Sequence, residues 1–296
     1  MLTLKKCALS EAVARIGGIF CDEKQALGFM LVDRSIKFDP ATFSKTILDG
    51  FIAQDKIIGT VKDFNAEDAD VDPGFTDMSN GERIQNTIGM KRWNLTFYRG
   101  NCFQNQIQKL NRSERYGIMF VLEDGSVLGR EMKDGTVKGF DVKLFTGVKK
   151  IKTAAEGGGS SLMIDLTRTA MSPWQATSIL MQDDEVDFLE VNPVAALDIK
   201  VPILTVGATT TVVNVSNMCA DSVVSGLNEP DNWKMVDNDV LKAITAVSEI
   251  NGAYTLTHPA LVVDHLVSFK TDNAGYPVVA IDTNYYAGES MKKTVV

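Results

Sequence analysis

Imidazole, thiol and carboxylate side chains would have to supply any chemistry, and the first of these is scarce. His258 and His265 are the only histidines. A multi-histidine zinc site cannot be assembled within the chain, and a Ser-His-Asp arrangement could draw on one of only two rings. His258 precedes Pro259, which favours extended or turn backbone. His265 reads as part of an alternating strand beside Asp264. Neighbours on a strand point to opposite faces, so that carboxylate cannot orient the ring, and both histidines are expected to be structural.

The four cysteines, Cys7, Cys21, Cys102 and Cys219, show no C-x-x-C spacing. Scattered in this way, they are expected to be free, mostly buried thiols and not a disulfide framework. Asp68, Asp70 and Asp72 place carboxylates at alternate positions, as a calcium loop begins. The glycine comes one place late at Gly74, Pro73 occupies its position, and Ser79 stands where a bidentate glutamate is needed. An acidic solvated loop is the better reading, and the same holds for Asp183-Asp-Glu-Val-Asp187, read as the end of a short helical stretch leading into a strand. The run Glu156-Gly157-Gly158-Gly159-Ser160-Ser161 invites a phosphate-loop interpretation. It lacks G-K-[ST] and precedes a strand-like run, so a flexible loop is expected. Neither G-x-G-x-x-G nor G-x-S-x-G occurs, and no pair among the 38 acidic residues stands out for glycoside hydrolysis. No catalytic residue, cofactor or metal is expected.

These residues must be positioned by a chain of 296 residues, 45% hydrophobic and 23% charged, which is long enough for two domains and has a globular balance. Its net charge of −8 disfavours general nucleic-acid binding. Near the N-terminus Lys5 and Lys6 are followed by Glu11 and Arg15, which break any apolar signal region, so a cytoplasmic site of synthesis is expected. The uncharged run Val201 to Ala220 approaches the length of a bilayer span. It contains Pro202 and Gly207, and its valines and threonines alternate, so it reads as strand and no membrane partner is expected. The N-x-S/T triplets at Asn94, Asn111 and Asn214 carry no meaning without secretion.

Composition shifts near residue 197. The last arginine is Arg168, and residues 198–296 carry 8 Asp, 3 Glu and 6 Lys. Val191-Asn-Pro-Val-Ala-Ala-Leu197 therefore reads as a link between domains 1–197 and 198–296. In the first, Asp39 as N-cap, Pro40 at N1 and a Phe38/Phe43 staple predict a helix near 40–54, with Phe43, Ile47, Leu48, Phe51 and Ile52 on its apolar face. A second amphipathic helix is predicted near 103–114 from Phe103, Ile107 and Leu110. Lys91–Arg99 alternates, with Trp93, Leu95 and Phe97 pointing one way. Gly117–Leu122, Ser126–Gly129 and Val137–Phe145, separated by Asp124-Gly125 and Asp134-Gly135, predict an antiparallel meander, and Leu162, Ile164 and Leu166 a further strand. In the second domain, runs at 203–206, 209–215, 253–256, 261–269 and 278–282 predict a small β-sandwich. The fold class is mainly β with a few helices.

Two stretches resemble known families. Asn86-Thr-Ile-Gly-Met-Lys-Arg-Trp-Asn-Leu-Thr-Phe-Tyr-Arg99, the helix after it, the turns at Glu123-Asp-Gly125 and Lys133-Asp-Gly135 and the strand at 162–166 together resemble tail tube or related ring-forming virion proteins of tailed bacteriophages. Thr209-Thr-Thr-Val-Val-Asn-Val-Ser-Asn-Met-Cys-Ala-Asp-Ser-Val-Val-Ser-Gly-Leu227, with Asn232-Trp233 and Asn251-Gly-Ala-Tyr-Thr-Leu-Thr257, looks like a bacterial Ig-like module. The first resemblance implies a tube-like β-barrel or sandwich that self-assembles into homo-oligomeric rings, commonly hexamers, stacked around a DNA channel. It also implies contacts with other virion tail proteins, passage of DNA without specific binding, and localisation in the virion tail after assembly in a bacterial cytoplasm. Polar loops such as 62–86 would bridge subunits or rings. The second resemblance implies an Ig-like decoration domain. A carbohydrate-binding adhesin or receptor-binding surface protein, or another tail or neck ring protein, is the alternative, and a virion-borne cell-wall hydrolase comes last for want of a nucleophile or metal motif.

Overall fold

The computed structural model describes residues 2–5, 24–154, 157–220 and 222–296. Cys7, Cys21, the residues at 6–15 weighed for targeting, and Glu156 lie outside them. The chain divides into two compact units, Met1–Lys45 with Thr60–Leu189, and Thr46–Gly59 with Glu190–Val296. Both are built mainly of strands, as expected of a mainly β fold with a few helices. Among the described residues, no helix is long and apolar enough to cross a membrane.

In chain order, the elements up to residue 183 are β1 (Leu2–Lys5), β2 (Ala26–Asp33), α1 (Lys45–Ala53), β3 (Ile57–Lys62), β4 (Asn65–Asp68), β5 (Gly74–Asp77), β6 (Arg83–Thr87) and β7 (Arg92–Phe97). They continue with α2 (Asn101–Ile107), β8 (Tyr116–Leu122), β9 (Val127–Glu131), β10 (Val137–Lys138), β11 (Phe140–Thr146), β12 (Ser160–Leu166), α3 (Arg168–Ala176) and β13 (Ser178–Asp183). One large sheet runs β1-β13-β9-β8-β11-β12-β7-β4, with β2 also on β8, β3 on β2 and β10 on β9, while β5 and β6 form a two-stranded sheet of their own.

β8 is the spine of the large sheet. Its sequence Tyr-Gly-Ile-Met-Phe-Val-Leu has no polar alternation, the pattern of a strand covered on both faces, and all seven residues are buried. Along one flank it pairs with β2 from Ala26↔Leu122 to Asp33↔Tyr116. Its other flank is shared, Phe120 and Val121 pairing with β9 and Gly117 and Ile118 with β11. The expected simple meander is thus corrected. Both Asp-Gly turns form, with Gly125 and Gly135 at φ of 75° and 81°, where glycine carries no steric cost, yet β11 crosses away from β10 to reach β8. β7 alternates as predicted, with Trp93, Leu95 and Phe97 buried. Trp93 packs at 5.0 Å from Phe120 and 5.2 Å from Trp174, and Trp174 lies 4.9 Å from Phe140. Trp174 comes from α3, a helix that Pro173 disguises in the sequence.

The two predicted helices shift. Asp39 caps a turn, its carboxylate accepting the Ala41 N–H at 2.9 Å, and the helix starts later, at Lys45. Phe43 still packs on Phe38, 5.6 Å between ring centres, but outside the helix, whose buried face is Leu48, Ile52 and Ala53. Residues 46–53 group with the second unit, in which the Tyr285 hydroxyl donates to Asp49 at 2.5 Å. The other helix runs from Asn101 to Ile107, followed by a 3-10 turn over Gln108–Leu110.

The second unit continues with β14 (Ala195–Lys200), β15 (Thr210–Asn217), β16 (Trp233–Asp237), β17 (Val240–Ala243), β18 (Ala246–Ile250), β19 (Ala253–Thr257), β20 (Leu266–Thr271), β21 (Val279–Ile281), β22 (Asn284–Ala287) and β23 (Lys293–Thr294). A six-stranded sheet, β18-β19-β15-β14-β22-β21, and a four-stranded one, β17-β16-β20-β23, share a core of Val213, Val215, Leu227, Trp233, Met235, Tyr254 and Phe269. Of the segment read as a link, residues 191–194 form no strand, and Ala195–Leu197 already belong to β14. β14 pairs with β15 on one side and, in parallel, β22 on the other, and buries Leu197 and Ile199. The second unit takes up the chain at Glu190, just before the Asn192-Pro193 break. Residues 203–206 form no strand beyond one bridge from Leu204 to Val295, and the strand expected from 261 begins at Leu266.

Candidate functional site

The residues singled out for chemistry are mostly satisfied locally. Among the described residues no group of three or more His, Cys, Asp or Glu side chains could hold a metal ion. His258 is buried and uses both ring nitrogens, Nδ1 with the Pro259 carbonyl at 2.8 Å and Nε2 with the Thr211 hydroxyl at 2.8 Å. A carbonyl only accepts, so Nδ1 donates to Pro259. His265 lies outside β20, in the turn before it, and its Nδ1 meets Asp237 Oδ1 at 2.6 Å. The argument from Asp264 therefore missed the carboxylate that does orient this ring, which comes from β16 on a neighbouring strand.

Asp68 and Asp70 both accept from the Lys91 ammonium at 2.8 Å, and Asp70 also accepts the Arg92 N–H at 2.9 Å. Burial pushes the Asp70 carboxyl up, but these hydrogen bonds and the Lys91 charge outweigh it and hold the carboxyl below its ordinary value. The would-be calcium loop is a lysine clamp. Asp183 ends β13 and accepts the N–H groups of Glu185 and Val186, so the order is strand then turn, the reverse of the expected helix then strand. Cys102 and Cys219 are both disulfide-bonded, which overturns the expectation of free thiols. Spacing along the chain carries no pairing information, because a bridge requires only that two Cα atoms lie close in the folded structure.

What remains without local explanation is a projecting hairpin. After β4 the chain leaves the large sheet, makes one bridge between Val71 and Met90, and runs out and back as β5 and β6. Their register pairs Phe75 with Gln85, Thr76 with Ile84 and Asp77 with Arg83. One face of this arm carries Phe75 with the Arg83 guanidinium stacked 4.1 Å over its ring, and the other carries Thr76, Ile84 and Asn86. Apart from Gly74, every residue from 71 to 88 is exposed, including Phe75 at 46% and Ile84 at 47%. A lone two-stranded hairpin is at best marginally stable in water, and this one displays Val71, Phe75, Met78, Ile84 and Ile88.

A second exposed element follows β11. Gly147-Val-Lys-Lys-Ile-Lys-Thr153 forms a strap between β11 and β12 with one bridge at Lys150, presenting Val148 at 91% and Ile151 at 84% exposure beside Lys150 and Lys152. The triple glycine is its floor. Gly159 bridges to Lys150, and a Cβ on Gly158 would lie 2.5 Å from the Lys152 nitrogen, so only glycine lets the two backbones touch there. Gly158 and Gly159 are therefore held against the strap, Gly157 lies against the Tyr98 ring, and the three do not form a phosphate cradle. Sequence reading noted the polar character of 62–86 but missed the strap, whose signal is three lysines interleaved with Val148 and Ile151 and no acidic residue.

No protein-family model matches the sequence, and a search of curated proteins gives no match.

Proposed function

We propose that this chain is a structural subunit of a bacteriophage tail tube, building stacked rings around a DNA channel, with residues 190–296 as an Ig-like decoration domain. The observation that carries this reading is the β5–β6 arm, an isolated hairpin with apolar side chains on both faces that a neighbouring subunit would cover. Among the described residues the outer strands β1 and β4 pair on one side alone, which leaves edges through which subunits can join by rotation into closed rings. An excess of acidic over basic residues suits a conduit that lets DNA slide, since like charges offer phosphate no contacts. Disulfide-bonded Cys102 and Cys219 suit a particle that works outside a reducing cytoplasm. Other tail proteins would contact the ends of such a tube.

The test is assembly of the purified full-length protein, followed by sedimentation velocity and negative-stain microscopy over a wide concentration range. Rings or tubes are expected. A particle that stays monomeric at the highest concentration reached would overturn the proposal.

A further inference from the structure

The arm and the strap lie at opposite ends of one strand. On β7, Asp68 of β4 pairs opposite Trp93 at the end where the arm departs, while Ser160 of β12 pairs opposite Phe97 at the end where Gly159 holds the strap. From Trp93 to Phe97 the strand advances four residues at about 3.3 Å each, roughly 13 Å, and the two elements leave it in opposite directions, so they are distinct surfaces of the first unit. Their chemistry is complementary. Of the seven acidic side chains in residues 63–90, Asp63, Asp68, Asp70 and Asp77 already pair with Arg99, Lys91 and Arg83, which leaves Glu67, Asp72 and Glu82 to meet a partner, whereas 147–153 contains three lysines and no acid. Each also exposes aliphatic side chains, Ile84 and Ile88 on the arm and Val148 and Ile151 on the strap.

We infer that the arm of one copy docks on the strap of the next, Asp72 and Glu82 facing Lys150 and Lys152 around a contact of Ile84 with Ile151. This rests on the tube-subunit reading and names the surface that receives the arm. Two different patches at opposite ends make a heterologous, head-to-tail contact, which propagates from copy to copy and gives the assembly a direction. Opposite charges steer the approach and set the register, and the aliphatic side chains exclude water from the contact.

Charge exchange in the full-length protein tests it, read by sedimentation velocity. Lys150→Glu with Lys152→Glu, and separately Asp72→Lys with Glu82→Lys, should each raise the concentration needed for assembly by about tenfold or more, and the four substitutions together should restore it. Carbodiimide cross-linking of the unmodified assembly, prepared from mixed nitrogen isotopes, gives a readout that no folding defect in a variant can confuse. Links from Asp72 or Glu82 to Lys150 or Lys152 should join light to heavy copies. Assembly that is indifferent to both charge reversals, a quadruple variant that stays impaired, or links confined to single copies overturns the docking while leaving the tube reading intact. A wild-type protein that never assembles overturns both.

Discussion

The Tyr285 hydroxyl donates to the Asp49 carboxylate at 2.5 Å, joining residues 236 positions apart within the second unit. Burial, then the hydrogen bond and charge of Asp49, push the tyrosine well above its ordinary pKa, so it stays a donor at any pH of interest. Replacing Tyr285 by Phe removes this donor from the carboxylate and should cost about 1–2 kcal/mol in urea unfolding. A double-mutant cycle with Asp49→Asn should show coupling; independent effects would mean that the bond does not hold the helix in place.

A second chain of bonds ties the core of that unit. The buried Trp233 indole N–H donates to the Leu227 carbonyl at 2.8 Å, and Tyr254 donates its hydroxyl to Val224 at 2.8 Å. Burial is the main reason the Tyr254 pKa rises to about 12. Tyr254→Phe keeps the ring but strands the Val224 carbonyl, for an expected loss of about 1–3 kcal/mol measured by denaturant melts. An unchanged midpoint would show that water replaces the hydroxyl.

Acid should weaken the first unit in a defined window. Burial raises the carboxyls of Asp33 and Asp124, but bonds from Arg115 and Ser35 to the former, and from Lys24 and Ser126 to the latter, bring each down to about 2 from 3.8. A carboxyl depressed in the folded state contributes stability that is complete above its unfolded pKa and is lost as pH falls through the folded one. Allowing for partial exposure, each group is worth roughly 1–2 kcal/mol, disappearing between about pH 4 and pH 2. Asp33→Asn and Asp124→Asn together should flatten the fall in urea midpoint over that window. A fall of undiminished steepness would place the acid sensitivity elsewhere.

The cysteines give a direct chemical check. Alkylation under denaturing, non-reducing conditions should leave Cys102 and Cys219 unmodified, and prior reduction should expose both to the reagent, as read by peptide mass spectrometry. Labelling of either residue before reduction contradicts the bridges.

Strand content was legible wherever one face alone is buried. The alternation Arg92-Trp-Asn-Leu-Thr-Phe97 announces β7, and Thr210–Asn217 announces β15. β8 was visible as an apolar run, but its three partners were not, since nothing in seven buried residues says which strands cover them. Long-range grouping failed for the same reason. Leu48 and Ile52 specify an apolar helix face, and only the folded chain shows Tyr285 reaching Asp49. β14 was concealed by a neighbouring Asn-Pro, and the cysteine bridges by the absence of any short spacing. At the candidate site, the polar segment 62–86 could be read as a long excursion, whereas its hairpin register and its position opposite the strap are properties of the sheet.

Because β8 is buried from Tyr116 to Leu122 and bonded along both flanks, its amide protons can reach solvent only through opening of the sheet itself. Deuterium should enter there last in the first unit, on the clock of global unfolding. The arm at residues 74–87 should fill within the fastest phase in an isolated subunit, so one time course would span the molecule from its slowest exchanging backbone to its quickest.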